Sequence, residues 1–420
     1  MKAIQKHVGW FVLGTLVFYL LSFAQWAPLW LPTLFAWGAN IVMWQALPKG
    51  ARRQVSILMG IGIAALIFAA SKGVWMTWQQ VLAVNIPLLA MFVAVSFLDL
   101  TGPTDAKRPL PKGLKAIINT AFGVHLLGSV INLSVLMIFA DRIKGSGKLT
   151  HAQQFLLSRC FAATAWWSPF FIATGVAITY SPGMKWQDTV IPGVCMAVIA
   201  IILSSINAYR HTNEEFQGYP IRLESLFIPS CLAGAVILFH YFWPTTSILV
   251  LICLLSPSTA ILFMSTKPRG KTLFHFIDHK LPLIGSQFAL FLGAGIFSNG
   301  IAAIILCYPE LFNLQSFNFS PLLFSTVLAG MILISYLGIH PLVSIAIVSP
   351  MLLPLQPHPT QLGFLFLSAW AISAGSSALT GLGLLMTSRY GIPAKAIMAN
   401  NWYYALIMWL LCTLTNWLFL

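Results

Sequence analysis

Residues 120–137, TAFGVHLLGSVINLSVLM, and residues 335–350, SYLGIHPLVSIAIVSP, each interrupt an apolar run where a membrane span would be continuous. The first interruption centres on Ser129 to Asn132, the second on Gly338 to Pro341. Backbone freed at membrane depth persists only where protein or a water-filled cavity satisfies it, so both interruptions mark candidate binding sites.

Working outward, composition sets the class. Hydrophobic residues make up 58% of the chain and charged residues 8%, with a mean hydropathy of +0.85. That balance excludes a soluble fold and gives an all-α polytopic membrane protein. The start of the chain carries Lys2 and Lys6 ahead of a long apolar run, Val8 to Ala24, with no small-residue cleavage site after it. It reads as a retained first helix and not as a signal peptide. The net charge of +14 is not the mark of a nucleic-acid partner, because no basic cluster alternates with aromatics. It fits the anchoring of loops on the inner side of a membrane. Cys160, Cys195, Cys231, Cys253, Cys307 and Cys412 stand singly in apolar segments, which argues against disulfides and structural zinc.

Apolar runs of about 20 residues predict spans near 8–25, 28–47, 55–71, 80–98, 155–180, 188–208, 226–243, 246–265, 282–306, 362–388 and 394–418. That makes about 11 transmembrane helices, with segments 116–140 and 321–353 left over. The second of these is too long for one span and too short for two, and Gly338 with Pro341 would break it in the middle. It reads as a helical hairpin entering and leaving by one face. For the first, loop charge decides. If it too is re-entrant, Lys49, Arg52, Arg53, Lys107, Arg108, Lys112, Lys115, Arg142, Lys144, Lys148, Arg210, Arg222, Lys267, Arg269, Lys271, Lys280, Arg389 and Lys395 all lie inside. Only Lys72 and Lys185 then lie outside, as the positive-inside rule requires. The N-terminus is then cytoplasmic, the C-terminus is periplasmic or extracellular, and the expected location is a bacterial inner membrane.

Two re-entrant hairpins entering from opposite faces are what an inverted repeat produces. Each is followed by a helix with a polar break: AATAWWSPFFIATG (162–175), broken at Ser168 and Pro169, and AISAGSSALTGLG (371–383), broken near Gly375 to Ser377. The expected organisation is N-terminal helices over 1–54, a first repeat over 55–210 and a second over 211–420. The first repeat holds the hairpin at 116–140 and the broken helix at 155–180; the second holds those at 321–353 and 362–388.

In this order of elements the chain resembles the ion transporter superfamily, and most closely its divalent anion and sodium symporter branch. FLGAGIFSNGIA (291–302) is similar to the glycine-rich helix that precedes the second hairpin in those proteins. Members carry Ser-Asn-Thr at each hairpin tip, whereas here the tips read GSVINLS (128–134) and GIHPLVS (338–344). The resemblance implies an elevator transporter, usually a homodimer, in which hairpins and broken helices carry solute past a fixed scaffold.

The candidate substrate site joins both halves. Gly128, Ser129, Asn132 and Ser134 come from the first tip, and Trp167, Ser168 and Pro169 from the first break. Gly338, His340, Pro341 and Ser344 come from the second tip, and Gly375, Ser376, Ser377 and Thr380 from the second break. Freed N–H groups and half-helix N-termini favour an anion there, and freed carbonyls a small cation. Ser129, Asn132, Ser344 and Ser377 are candidate Na+ ligands. The competing explanation for each hydroxyl is a bond to backbone or to a neighbouring helix. His340 reads equally as a proton carrier or a capping histidine. His125 reads as structural, and Arg159 as snorkelling to the interface. Trp166 and Trp167 border the first break, as packing residues or as cavity lining.

No Asp or Glu falls in the middle of a span, which disfavours a carboxylate proton relay. The expected function is secondary active transport of a small anionic or polar solute, an organic carboxylate foremost. Na+ or H+ is the coupling ion, and no other cofactor is expected. The alternatives are efflux of an oxyanion or metalloid, Na+/H+ exchange, or translocation of a lipid-linked substrate. No HExxH, paired aspartates or GxSxG motif is present, so the chain is not read as an enzyme. The expected partners are a small-molecule solute, the lipid bilayer and a second copy of the chain.

Overall fold

The computed structural model describes residues 7–101, 109–131, 133–145, 147–212, 215–220, 226–264, 266–310, 318–378 and 380–420. Lys2, Lys6, Lys107, Arg108, Asn132 and Arg222 lie outside the described residues. The protein is helical, with no β-strand among the described residues. Its α-helices are α1 (Val8–Phe23), α2 (Trp30–Met43), α3 (Lys49–Ser71), α4 (Ile86–Ser96), α5 (Gly113–Ile131), α6 (Leu133–Lys144), α7 (His151–Ala162), α8 (Ile172–Tyr180) and α9 (Trp186–Thr212). There follow α10 (Phe227–Phe242), α11 (Ile248–Phe263), α12 (Arg269–His275), α13 (Gly285–Cys307), α14 (Pro321–Tyr336), α15 (Pro341–Leu352), α16 (Pro359–Ser376), α17 (Gly381–Tyr390) and α18 (Ala394–Phe419).

Among the described residues, 7 helical segments are long and apolar enough to cross a membrane, which makes this a membrane-embedded helical protein. Six of them coincide with expected spans. The other is α5, the first arm of the expected hairpin at 116–140. Four expected spans are short: α1, α10 and α11 have 16 residues each and α2 has 14. At about 1.5 Å per residue these helices alone fall short of a hydrocarbon core about 30 Å thick.

The chain forms two compact units, each assembled from separated stretches. Unit 1 takes Met1–Thr101, Ala235–Asn318 and Ala346–Gln356; unit 2 takes Gly102–Gly234, Phe319–Ile345 and Pro357–Leu420. In unit 1, α3 crosses α13 backbone to backbone. A Cβ at Gly62 would stand 2.7 Å from the Ile296 carbonyl oxygen, and one at Gly300 would stand 2.6 Å from the Gly62 oxygen. Small residues allow this approach, the usual device for packing helices in lipid. Asn85 adds a hydrogen bond from its Nδ2 to the Phe291 carbonyl, at 2.7 Å. Gly62→Val should therefore force the two backbones apart and destabilise the protein by about 1–3 kcal/mol, read as a lower unfolding midpoint in detergent.

Unit 2 can be traced by its hydrogen bonds. At one end, Gly113 N donates to Phe216 O (2.9 Å) and Gly218 N to Pro111 O (3.0 Å). Tyr219 N donates to Thr120 Oγ1 (2.8 Å) and Gln153 Nε2 to Gln217 O (2.9 Å), while the Phe139 ring stacks on Tyr219 at 3.8 Å. The start of α5, the end of α6 and the start of α7 thus meet on residues 216–219. At the other end, Ser181 Oγ donates to Pro359 O (2.8 Å), and the rings of Phe324 and Phe364 stack at 6.1 Å. The end of α8 and the starts of α14 and α16 meet there. Between the ends, α16 runs antiparallel to α7 and α8. Trp166 Nε1 donates to Ser368 Oγ at 3.2 Å, and Gly375 packs beside Ala162 and Arg159.

The chain returns to the first end at the close of α17. There Arg389 Nη2 bonds Asp141 Oδ2 at 2.6 Å, and Lys144 Nζ lies 3.5 Å from Asp141 Oδ1. Burial works against the Asp141 charge, but the hydrogen bond and charge of Arg389, with the charge of Lys144, prevail and hold this carboxyl below the usual carboxylate range. A depressed folded pKa gives stability that is present above the unfolded value of about 3.9 and is lost as pH falls through the folded one. The pair is half exposed, so Asp141→Asn should cost no more than about 1 kcal/mol at neutral pH. That difference should vanish in strong acid, which unfolding midpoints at the two pH values would check.

Candidate functional site

Unit 2 holds two helix breaks and the second of the expected tips; at the first expected tip α5 runs to Ile131 and α6 starts at Leu133. The first break runs over Trp167–Phe171, between the 3₁₀ turn Ala163–Trp166 and α8, where Pro169 cannot continue a helix. The second differs from expectation by two residues. Gly375 and Ser376 remain helical at the end of α16, Ser377 is extended, and Thr380 caps the start of α17. Gly375 is retained in the helix as a contact glycine, since a Cβ there would stand 3.3 Å from Ala162 Cβ and 3.5 Å from Arg159 Cα. The second tip is the turn Leu337–His340, with Gly338 at φ +107, where a side chain would be strained. Asn132, at the first tip, lies outside the described residues.

The two breaks are held by the same pair of bonds. In the first half, Ser168 Oγ donates to the Ser129 carbonyl of α5 at 2.5 Å, and Thr174 Oγ1 donates to the Ser168 carbonyl at 2.6 Å. In the second, Ser377 Oγ donates to the Ser335 carbonyl of α14 at 2.8 Å, and Thr380 Oγ1 donates to the Ser377 carbonyl at 3.2 Å. In both cases a serine in the break bonds a carbonyl near the C-terminus of an earlier helix, α5 or α14; the Ser335 carbonyl also accepts from Gly338 N at 3.1 Å. A threonine further on then satisfies the carbonyl of that serine.

The remaining candidate hydroxyls follow the local alternative. Ser129 Oγ donates to Leu126 O (2.8 Å), Ser344 Oγ to Pro341 O (2.8 Å) and Ser376 Oγ to Ile372 O (2.5 Å). Ser129, Ser168, Ser344, Ser376, Ser377 and Thr380 are all buried, and Ser134 is half-buried. With their protons given to backbone carbonyls, Ser129, Ser168, Ser344, Ser376, Ser377 and Thr380 have oxygen lone pairs to offer, of which Ser168 and Thr380 each already give one to the N–H of Phe170 and Gly383; lone pairs suit a hard cation better than a carboxylate. Donors for an anion come instead from backbone N–H groups at the starts of α8, α15 and α17.

The two histidines differ. Trp167 Nε1 is only a donor and lies 3.0 Å from His125 Nε2, so that nitrogen accepts; His125 Nδ1, 2.9 Å from Cys160 O, must then carry the proton. His125 is a neutral structural bridge, as its position one turn before the tip suggests. Trp167 is anchored a second time by Trp186, whose Nε1 donates to the Trp167 carbonyl at 2.7 Å. At the second tip, His340 Nδ1 accepts from Leu342 N (3.2 Å), and the ring stands edge-on to Trp370 at 5.2 Å. In this neutral form His340 caps α15 and carries its proton on Nε2, as a donor at the half-buried tip.

Two residues were overlooked in the sequence. The Ser335 and Ser373 hydroxyls are buried beside the second break with no hydrogen-bond partner among the described residues. Both stand within residues 335–350 and 371–383, but in a sequence an unbonded serine reads no differently from one bonded to its own helix. Arg159 departs from the snorkelling expectation outright: it is buried inside unit 2 at 2% exposure.

No protein-family model matches this chain, and no curated protein matches it.

Proposed function

We propose that the protein is a secondary active transporter for a small anionic solute, a carboxylate foremost, working by an elevator form of alternating access. The observation that carries this reading is the repeated pair of bonds, Ser168 to Ser129 with Thr174 to Ser168, and Ser377 to Ser335 with Thr380 to Ser377. The same local solution recurs about 210 residues later, on helices that run in opposite directions through unit 2. An inverted repeat produces that relationship, and a discontinuous helix pair around a midplane site is its transport use. On this reading 116–140 and 321–353 are re-entrant hairpins opening to opposite faces, the first to the cytoplasm and the second to the outside.

The division into units supports the same reading. Unit 2 gathers the first hairpin, the arm and tip of the second and both broken helices, while unit 1 holds the early helices of each half. A moving body and a scaffold would be divided in this way except at Ala346–Gln356, from the second arm of the second hairpin, which falls in unit 1. The buried hydroxyl lone pairs supply oxygen ligands for a coupling Na+. His340, whose ring already caps α15, would have to give up that bond to take a proton on Nδ1, which favours Na+ over H+. Reconstituted proteoliposomes test the reading. Radiolabelled succinate should accumulate when an inward Na+ gradient is imposed and not when only a pH gradient is imposed. Failure to take up succinate, malate or citrate under either gradient would remove the carboxylate assignment.

A further inference from the structure

Arg159, on α7, is the only charged side chain buried among the described residues. Its Nε donates to Asn401 Oδ1 at 2.6 Å and its Nη2 to the Asn400 carbonyl at 2.8 Å. The guanidinium is sandwiched between the rings of Phe155, at 4.5 Å, and Tyr404, at 4.6 Å. Asn401 is fixed in turn by a bond from its Nδ2 to Ile397 O at 2.7 Å, so its oxygen is held toward the arginine. Within salt-bridge distance there is no carboxylate among the described residues. A buried cation without a counter-charge is costly even between two aromatic faces. An anion would supply the missing counter-charge.

The surroundings have the chemistry to hold one. Two hydrogen bonds are recorded for the five N–H donors that a guanidinium carries. The Tyr404 hydroxyl, carried by the ring 4.6 Å from the guanidinium, is buried with no hydrogen-bond partner among the described residues, a further donor. A cavity of about 10 Å³ lies on the far side of Phe155 and Asn401, two of the side chains that hold the arginine; Gln154, Ser158, Asn400, Ile392 and Ile397 line it further, and neither Arg159 nor Tyr404 opens into it in this structure. It has room for about one water, and it lies toward the end of unit 2 where α7 begins. Gly375 brings the end of α16 against the same cluster, since a Cβ there would stand 3.7 Å from Tyr404 Cε1. The second break therefore begins two residues from a contact with Arg159 and Tyr404.

We propose that Arg159 and the Tyr404 hydroxyl form a binding site for a small anion, either a carboxylate group of the solute or an inorganic anion such as chloride. The carboxylate source rests on the transport reading; the anion site itself does not. Both are tested on the purified full chain in detergent by following the unfolding midpoint while sodium succinate or sodium chloride is titrated. The wild type should show a saturable rise with at least one of the two, and which one identifies the source. Tyr404→Phe keeps the ring over the guanidinium and removes one donor, so it should raise the half-saturating concentration about tenfold, the weight of one hydrogen bond to a charged group. Arg159→Gln should abolish the saturable rise. If that variant does not fold, Tyr404→Phe decides alone. The proposal is overturned if neither anion gives a saturable rise, or if Tyr404→Phe saturates as the wild type does. Succinate uptake in proteoliposomes separates the two claims. An anion-dependent rise without succinate uptake leaves the site and removes the carboxylate assignment of the transport reading, whereas uptake with an unchanged KM in Tyr404→Phe removes the carboxylate source.

Discussion

Ser168→Ala should slow solute uptake about tenfold while the purified protein remains folded, and Ser377→Ala should do the same. Each substitution removes a hydroxyl that holds a break against an earlier helix, α5 or α14, and a hydrogen bond at the upper end of the usual range contributes about 1.4 kcal/mol, a factor of about ten in rate if it acts in the step that moves solute. The two staples share no partner, so their effects should add, giving about a hundredfold loss in the double variant. Initial rates in proteoliposomes, set against unfolding midpoints of the same preparations, are the measurement. Equal rates in wild type and double variant would mean that the staples are packing features with no part in transport.

His125→Leu should have the second-largest effect, and on stability. It leaves the Trp167 indole N–H without its acceptor and the Cys160 carbonyl without its side-chain donor. An unsatisfied group of that kind costs about 1–3 kcal/mol. Trp167 is the first residue of the break and receives Trp186 on its carbonyl, so the loosening should reach the site as well. Gln at this position offers both a donor and an acceptor, and His125→Gln should recover part of the loss. Because both ring nitrogens of His125 are engaged, that variant should keep the wild-type pH profile of transport. A profile displaced by His125→Gln would identify His125 as a proton carrier after all.

Much of the architecture was legible because it rests on local signals. Apolar runs located the helices, and Ser168 with Pro169 located the first break because proline cannot continue the ladder. Gly338 with Pro341 did the same for the second tip. The second break was displaced because no proline marks it. Gly375 resembles a helix breaker in sequence, but its lack of a side chain serves contact with Ala162 and Arg159.

The features that escaped depend on distant partners. Asn401, 242 positions from Arg159, is what turns a residue expected at the interface into a buried one. The interleaving of the two compact units carries no composition change that a linker would show. The serine staples were noticed as polar residues, but their pairing across 39 and 42 positions lies beyond any helical period.

The opposed orientation of the two hairpins is tested most directly by labelling single cysteines from outside intact cells with a membrane-impermeant maleimide, in a background whose native cysteines are replaced. Cysteine at Lys148, after the first hairpin, should react only once the membrane is permeabilised, whereas cysteine at Lys185 or His358 should react at once; all three positions are exposed. Labelling of the Lys148→Cys variant in intact cells, with Lys185→Cys reacting only after permeabilisation, would mean that residues 116–140 cross the membrane, and the inverted repeat would fail with it.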